Sequence, residues 1–534
     1  MIIKLILALL FSVGSAFAAC HVSTPAGAGT RDGSNWSNSY AGLPATLIRG
    51  DTYYIASGIY TGGYRFNTPL AGTSLIAIKK AIAADHCSDV GWDATMGVGQ
   101  AVWTTAGVSG AIWQFTDAGS SYWLIDGQSR DTLKSGHGFK LDNSTGTLQY
   151  GINLISNTKS NPIETVTIRY VEIAGGGVGS NSGDSFTVTS AVRDTAGVAT
   201  LTVTGGSHSV YVAQSSTVVG SQIAVSGVAD PSFNTQNSRV VAASDTTVSY
   251  LSLGSPATST GGTVTGALGM MYEFDFRYAG YINHLISEYG YIHDTSDTPL
   301  QNDGTRPCNV TIQYSVFARN NANSSHHSEG YADAGSCQAD SIDPSGKIRI
   351  SNNVFEDIEG TGFIASVGSG PTNNLEVTRN VFMWHQGNPY RRTGIGNGVI
   401  ATTSNSVAHN WLVAWNTFVN LPPGGGANIL STANIAPGSS GFTALNNLCY
   451  YPSGVVCGFS PSPTAQITNS GTSIQTASPF VDWLGEDYHL KIPLNAGAFD
   501  YGTPVPVPGG LSGTITCTPV PIGTWTCTIT VKPN

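Results

Sequence analysis

One short phrase recurs through residues 308–421 and constrains the fold more than any other feature of the chain. A polar residue, a β-branched residue and phenylalanine follow one another at residues 315–317, 353–355, 380–382 and 416–418. The phenylalanines lie 38, 27 and 36 residues apart, a period typical of a fixed strand that returns after loops of unequal length. Such a strand cannot bury its apolar face alone, so the copies must stack and share one core. Each copy therefore predicts one coil of a solenoid.

The segments between the copies are rich in Gly, Ser, Asn and Thr. They carry no helical pattern, which disfavours alternating strands and helices and favours parallel strands joined by loops. Asparagine precedes the Val-Phe pair at Asn353 and Asn380, where it can adopt a left-handed backbone and hydrogen-bond to the next coil. The sequence predicts an all-β parallel β-helix.

Composition limits the partners of the chain. Charged residues make up only 10% of the 534 residues, against about 25% in an average soluble protein. The formal charge of -10 argues against nucleic acid, which requires a basic face. A neutral glycan would need no cations, whereas an acidic glycan would need cations concentrated at one site. We expect a polysaccharide or a cell-surface glycan as partner.

The N-terminus has the pattern of an export signal. Lys4 precedes an apolar run from Leu5 to Phe11, and Ala16-Phe17-Ala18 is a small-x-small cleavage site. We predict a signal peptide over residues 1–19 and an extracellular, periplasmic or cell-surface location. Phe17 stands where lipoprotein signals usually have Leu, which makes lipidation of Cys20 the lesser alternative. No other apolar run approaches the 18 or so residues of a membrane helix, so no integral membrane segment is predicted.

The eight cysteines of an exported chain favour disulfides, and none has metal-site spacing. Pairing of neighbours along the sequence gives four predicted bonds: Cys20–Cys87, Cys308–Cys337, Cys449–Cys457 and Cys517–Cys527. Sequence alone does not fix the connectivity, and a lipidated Cys20 would leave Cys87 without its partner.

Both ends of the repeat region carry recognisable phrases. GSNWSNSY at residues 33–40 and GDTYYIASGIY at residues 50–60 resemble the first coil of exported right-handed parallel β-helix proteins of the pectate lyase-like superfamily. DYHL at 487–490 and GAFD at 497–500 resemble the phrase that closes such helices in bacteria. This resemblance implies a right-handed parallel β-helix, while the motifs of no specific enzyme family are matched. A fold does not determine an activity, so function has to come from a site.

The coil pattern stops at residues 175–177, and Ser, Thr, Val, Ala and Gly dominate from there to about residue 266. Short strands at this spacing predict a small antiparallel sandwich or barrel inserted into the solenoid. The predicted organisation is a signal peptide (1–19), a first β-helix part (20–184), the inserted module (185–267), a second β-helix part (268–502), and a linker with a C-terminal β-hairpin (503–534).

Scarce ionisable residues cluster on the loops of consecutive central coils. Four of the eleven histidines lie between residues 284 and 327. Because adjacent coils lie about 4.8 Å apart, residues far apart in sequence would line one groove. We predict catalytic roles for His326, His327, Glu329 and Arg392, substrate binding by Arg319, Arg391, Trp384, Tyr390 and His293, and a calcium site at Asp294, Asp297 and Asp357.

These residue types fit β-elimination from a uronic acid polymer. A base removes the proton beside a carboxylate that a cation has neutralised, and His326 or His327 would be that base. Arg391 and Arg392 would bind the sugar carboxylate, and the three aspartates offer the oxygen ligands that calcium prefers. Trp384 and Tyr390 are candidate platforms for sugar stacking. The leading hypothesis is a secreted polysaccharide lyase.

Three alternatives remain open. Glycoside hydrolysis needs two facing carboxylates, for which Asp294 or Asp297 could pair with Glu329 or Asp357. A solenoid could also bind glycan without turnover, as an adhesin or as a phage-type receptor-binding protein. Each polar residue also has a structural explanation, since aspartates often stabilise the backbone of their own turn.

Overall fold

The structure is a computed structural model of the chain. The residues it describes are 19–116, 118–143, 150–175, 185–204, 222–244, 246–252, 254–266, 275–293, 295, 298–320, 329–358, 362–368, 370–384, 398–402, 406–421, 428–452, 457–482, 487–491, 494, 496–498, 512–520 and 524–532.

Three long parallel sheets form the solenoid, and the chain visits them in the order sheet 1, sheet 2, sheet 3 on each coil. Sheet 1 contains Tyr40–Ala41, Cys20–Thr24, Thr52–Ile55, Ile76–Lys80, Trp123–Asp126, Ile163–Arg169, Ile282–Glu288, Cys308–Gln313, Ile348–Ser351, Leu375–Thr378, His409–Ala414, Ser440–Leu445 and Ile467–Ser470. Sheet 2 contains Gly58–Tyr60, Ala101–Thr104, Phe139–Asp142, Val171–Ala174, Tyr291–His293, Val316–Asn320, Val354–Ile358, Val381–Met383, Thr417–Val419, Leu448–Tyr450 and Ser473–Gln475. Sheet 3 contains Tyr64–Arg65, Ala111–Phe115, Tyr150–Ser156, Asp275–Gly280, Leu300–Asn302, Tyr331–Asp333, Ile364–Ser366, Ile400–Thr402, Asn428–Ser431 and Gly458–Ser460. The right-handed parallel β-helix predicted from the sequence is confirmed.

The remaining elements are short or antiparallel. Four 3-10 helices span Trp36–Asn38, Ala94–Gly97, Ala118–Ser120 and Pro231–Phe233 in the described part of the chain. Two antiparallel pairs lie near the C-terminus, Phe480–Asp482 with Asp487–Leu490 and Ser512–Val520 with Thr524–Lys532. No helix of the described residues is long and apolar enough to cross a membrane.

The recurring phenylalanines form one column inside the solenoid. Phe317, Phe355, Phe382 and Phe418 are Cα partners on successive strands of sheet 2 and are completely buried. Their rings stack with centroids 4.7, 5.1 and 5.2 Å apart. The repeat in the sequence is therefore the stacked core that its period predicted.

A second column, of asparagines, marks the turn from sheet 1 to sheet 2. Asn353, Asn380, Asn416 and Asn447 are fully buried, and each of the first three donates its backbone N–H to the side-chain oxygen of the next, at 3.0, 2.9 and 3.0 Å. The ladder between coils is as predicted. The left-handed residue, however, is the one before each of the four ladder asparagines: Asn352, Arg379, Trp415 and Asn446 have φ of 56°, 58°, 53° and 49°.

An outer layer covers part of sheet 2. Phe480, Ala496 and Ala498 are buried against the outward residues of its later strands, from Val316 to Leu448. The backbone N–H of Ala498 donates to the Thr417 hydroxyl at 2.7 Å. The closing segment of the solenoid thus packs on the outside of the coils.

The insertion has its own antiparallel sheet and core. Its seven strands are Ser185–Arg193, Val198–Thr204, Gln222–Ser226, Thr235–Ser244, Thr247–Leu251, Ala257–Ser259 and Thr263–Gly266. Phe186, Leu201, Ile223 and Val248 belong to a hydrophobic cluster separate from the solenoid core. The antiparallel module is therefore present, and its boundaries at residues 185 and 267 remain predictions.

Three of the four predicted disulfides are present, Cys20–Cys87, Cys308–Cys337 and Cys449–Cys457. The fourth remains a prediction: Cys517 and Cys527 are direct Cα partners in their antiparallel pair, while their side chains lie outside the described part of the structure. Disulfides of this number fit an exported protein.

Candidate functional site

Most of the predicted site residues lie outside the described part of the structure. Those residues are Asp294, Asp297, His326, His327, Tyr390, Arg391 and Arg392. Arg319 belongs to the described strand Val316–Asn320, although its side chain is not described. All of these roles therefore remain predictions.

The chain topology nevertheless relates these positions to one another. Residues 294–299, 321–330 and 384–399 each connect a strand of sheet 2 to the following strand of sheet 3. The strands that they connect are neighbours in both sheets. The ends of the strands that these connections join therefore lie at one edge of the solenoid, and the clustering of the connecting residues themselves remains a prediction.

Two of the predicted site residues are buried. The Trp384 side chain is 2% exposed and belongs to the solenoid core. Glu329 is completely buried, with its Oε2 3.4 Å from the Thr298 hydroxyl oxygen. The sugar-stacking role of Trp384 and the catalytic role of Glu329 remain predictions.

Asp357 also lies inward from the surface. It is 3% exposed, and its φ of 52° is left-handed, within the strand Val354–Ile358. Among the described residues there is no group of three His, Cys, Asp or Glu side chains that could hold a metal ion. The calcium site at Asp294, Asp297 and Asp357 remains a prediction.

His293, which the sequence placed among the substrate-binding residues, is part of a charged cluster on sheet 2. Its Nε2 lies 3.3 Å from Glu172 Oε1, and the same oxygen is 3.0 Å from Lys140 Nζ. The other oxygen of Glu172 accepts a hydrogen bond from Gln100 Nε2 at 2.9 Å. The His293 ring also stacks on Tyr291, with centroids 4.0 Å apart. One carboxylate thus binds both a histidine and a lysine.

The register of sheet 2 explains why these side chains meet. Lys140 and Glu172 are Cα partners on neighbouring strands, and Glu172 is the partner of Tyr291 on the next strand. His293 follows Tyr291 by two residues and therefore points to the same outer face. The side chains of His293, Glu172 and Lys140 are 12, 10 and 24% exposed, so the cluster lies just below the surface.

Electrostatics fix the charge of the carboxylate. Burial alone would raise the pKa of Glu172, but the hydrogen bond and charge of His293, together with Lys140 and Gln100, lower this pKa to about 2. Glu172 is consequently an anion at any physiological pH. Beside it, the buried His137 has a pKa lowered to about 4, mainly because burial disfavours its charged form. His137 is therefore neutral at pH 7.

A second ion pair lies farther along the same face. Lys134 Nζ is 2.8 Å from Glu356 Oε2, and Glu356 is 1% exposed. Glu356 is two strands beyond His293 in one column, with Ala318 between them. Arg319 follows Ala318 directly in the chain. The column therefore brings His293 and Glu356 to either side of the strand that carries Arg319.

Glu172, Lys140, Gln100 and Lys134 were not found by sequence reasoning. The available signal was the alternation of Phe139-Lys140-Leu141-Asp142, in which apolar residues point inward and a lysine points outward. Glu172 stands likewise between two apolar residues in Val171–Ala174. Each pattern predicts a charged side chain on the outer face of its strand, but neither predicts which strand will be its neighbour in the sheet.

A separate hollow lies on the outer face of sheet 1. Its volume is about 390 Å³, and Lys347, Asn374, Asn410 and Leu412 are among the residues that line it. Glu376, which also lines the hollow, pairs with Lys347 and with Arg349, whose Nε is 3.2 Å from Glu376 Oε2. The charges of Lys347 and Glu376 balance within the lining, and Arg349 pairs with Glu376 from outside it. This surface belongs to a different sheet from the His293 cluster.

No family model matches the chain, and no curated protein matches it. Among solved structures, pectate lyase Pel9A is 11% identical, with 89% of this chain and 85% of that chain covered and a TM-score of 0.35. The PL6 family polysaccharide lyase Pedsa3628 from Pseudopedobacter saltans is 10% identical, with coverage of 85% and 95% and a TM-score of 0.37. At such identities the likeness concerns the fold alone, and no conclusion about activity is drawn from it.

Proposed function

We propose that this protein is a secreted polysaccharide lyase that cleaves an acidic glycan by β-elimination. The observation that supports the proposal best is the His293–Glu172–Lys140 cluster at the end of the strand Tyr291–His293. The chain continues from His293 into a connection between sheets 2 and 3, among the loops where the sequence concentrates its His, Asp and Arg residues. A base and several cations would thus share one edge.

The chemistry assigns a role to each of these groups. A histidine base removes the proton on the carbon next to the uronate carboxylate. The electron pair of the broken C–H bond forms a C=C bond as the glycosidic C–O bond breaks, and the departing oxygen takes a proton. We propose His293 as the base, since the Glu172 anion holds its ring and stabilises the imidazolium that forms. His326 and His327 are the other histidines proposed for this edge.

Cations must stabilise the charge that develops on the substrate carboxylate. We propose that Arg319, Arg391 and Arg392 bind this carboxylate, with Tyr390 contacting the sugar. Lys140 forms an ion pair with Glu172, and its role is to hold that anion in place. Calcium held by Asp294, Asp297 and Asp357 would add a further positive charge, and no step here depends on it.

The test is an absorbance assay for unsaturated uronate with the purified protein and a panel of acidic glycans. On the substrate found, we expect His293→Ala to lower kcat by at least about 100-fold, the usual contribution of a general base. Glu172→Gln should lower kcat by about 10- to 100-fold while KM changes little, since the carboxylate acts through the histidine. His409→Ala is the matched control, because that histidine lies on sheet 1 and its side chain hydrogen-bonds to Ser440.

Three results would count against this proposal. Absence of unsaturated product on every acidic glycan, with a hydrolase screen also negative, would argue against an enzyme. Release of reducing ends without unsaturated product would instead indicate a glycoside hydrolase. Full activity of His293→Ala would transfer the role of base to His326 or His327, which single alanine variants then distinguish.

Glycan binding without turnover is the second candidate, and the hollow on sheet 1 supports it. The hollow combines the amides of Asn374 and Asn410 with the ammonium of Lys347, groups that hydrogen-bond to hydroxyls and carboxylates. If this is the functional surface, Lys347→Ala should weaken glycan binding and His293→Ala should leave it unchanged. Calorimetric titration of both variants with the same glycan separates the two surfaces.

A further inference from the structure

The first described residue of the chain is bound to a buried carboxylate. The backbone nitrogen of Ala19 lies 3.0 Å from Asp51 Oδ1, and Asp51 is 8% exposed. The second oxygen of Asp51 is 3.0 Å from His21 Nε2, and the His21 ring stacks on Tyr53 at 4.6 Å. The nitrogen of Ala19 and the ring of His21 thus share one carboxylate.

Hydrogen bonds at both its backbone nitrogen and its carbonyl oxygen fix the position of Ala19. Its carbonyl oxygen accepts a hydrogen bond from the Thr52 backbone at 2.9 Å. The next residue, Cys20, starts the strand Cys20–Thr24, is the Cα partner of Thr52, and forms the disulfide with Cys87. Ala19 is therefore an ordered part of the first coil rather than part of a leader.

We propose that export processing hydrolyses the Ala18–Ala19 bond and that the new α-ammonium of Ala19 forms an ion pair with Asp51. A signal peptidase would catalyse the step, for which Ala16 and Ala18 supply the small residues at the cleavage site. Water adds across the amide, so Ala18 leaves as a carboxylate and the nitrogen of Ala19 becomes an amine. With a pKa of about 8, that amine is protonated at neutral pH.

Burial of Asp51 gives the reason for this assignment. A carboxylate removed from water is costly unless a positive charge compensates it. Among the described residues, the one ionisable cationic side chain in contact with Asp51 is His21. Cleavage before Ala19 converts a neutral N–H donor into an ammonium at the same place, and charge-assisted hydrogen bonds are about twice as strong as neutral ones.

Other processing sites would lose these contacts. Cleavage after Ala19, as a leader of residues 1–19 implies, removes both the nitrogen that bonds Asp51 and the oxygen that bonds Thr52. Lipoprotein processing would attach a lipid through Cys20 Sγ, the atom that forms the 2.02 Å bond to Cys87. The structure thus favours one cleavage position over two alternatives, independently of the proposed lyase activity.

The first experiment determines the N-terminus. The full chain with its own leader is produced in an exporting bacterium, and the exported protein is analysed by intact mass and by peptide mapping without reduction. We expect a chain that begins at Ala19 and a peptide pair linked by Cys20 and Cys87. A chain that begins at Cys20, carries a lipid mass or retains residues 1–18 would overturn the proposal.

The second experiment tests the ion pair in the mature protein. Acetylation of the α-amine should lower Tm in the native protein and leave Tm of Asp51→Asn unchanged, because the variant has already lost the anion. The α-amine should also react about fivefold more slowly with an acylating reagent at pH 8 than in Asp51→Asn, which corresponds to a pKa raised from about 8 by about one unit. Asp32→Asn is the control, since Asp32 is an exposed carboxylate that accepts a hydrogen bond from the Ser34 backbone N–H. Equal Tm values and equal labelling rates in native protein and Asp51→Asn would refute the pair.

Discussion

Replacing Asn380 by alanine is expected to lower the free energy of unfolding by about 4 to 6 kcal/mol. Asn380 Oδ1 accepts hydrogen bonds from the backbone N–H and the side-chain amide of Asn353, both at 3.0 Å. Its Nδ2 donates to the Ile350 carbonyl at 2.9 Å and to Asn416 Oδ1 at 3.0 Å. Alanine leaves the buried N–H of Asn353 without this acceptor, at about 1 to 3 kcal/mol, and removes three further hydrogen bonds at about 1 kcal/mol each.

Urea unfolding followed by circular dichroism measures the loss. Asn469→Ala is the matched control, because Asn469 is exposed and accepts one hydrogen bond, from Thr472. We expect the control to change stability by less than about 0.5 kcal/mol. If Asn380→Ala costs no more than Asn469→Ala, the asparagine ladder does not hold the coils together, and the energetic reasoning fails.

Two further predictions concern the core and the pH dependence of stability. Phe355→Ala should cost about 3 to 5 kcal/mol in the same urea assay because it opens a cavity in the phenylalanine column, whereas Ile474→Ala, 46% exposed at the end of that column, should cost far less. The pKa of His137 falls from 6.5 to about 4 on folding, so the unfolded chain binds more protons between these values and stability decreases as pH falls. Native protein should be about 2 kcal/mol less stable at pH 5 than at pH 7.5, and His137→Gln should lack this difference. An unchanged pH dependence in His137→Gln would contradict the assignment.

The scaffold could be predicted because its signals are local. Phe317, Phe355 and Phe382 occupy equivalent places in a phrase of three residues, and stacking follows from the phrase alone. The turn was harder to predict. Arg379 and Trp415 adopt the left-handed backbone although these residue types rarely do, and the neighbouring asparagine takes the ladder position instead. The hydrogen bonds between coils determine which of the two residues adopts the left-handed backbone, and the conformational preference of each residue type does not predict it.

The candidate site was harder to predict because its partners are distant in sequence. His293 and Glu172 are 121 residues apart, with the inserted module between them in the chain. Only the pairing of Val171–Ala174 with Tyr291–His293 across that insertion brings the two together. Trp384 and Glu329 were predicted as site residues because they lie in polar segments of the sequence. Their burial depends instead on how each segment folds back on the coil.

One segment of the first half of the chain connects the early coils to the later ones. Arg130 donates to the Tyr314 carbonyl at 3.0 Å, and Lys134 pairs with Glu356 at 2.8 Å. From the same segment, His137 packs beside Tyr291, the ring on which His293 stacks. Residues 130–137 therefore reach across several coils and form one wall of the cluster. Because the coils themselves repeat, the features that distinguish this edge must come from such non-repeating segments, and under the proposed lyase activity changes in them should alter substrate choice without disturbing the phenylalanine and asparagine columns.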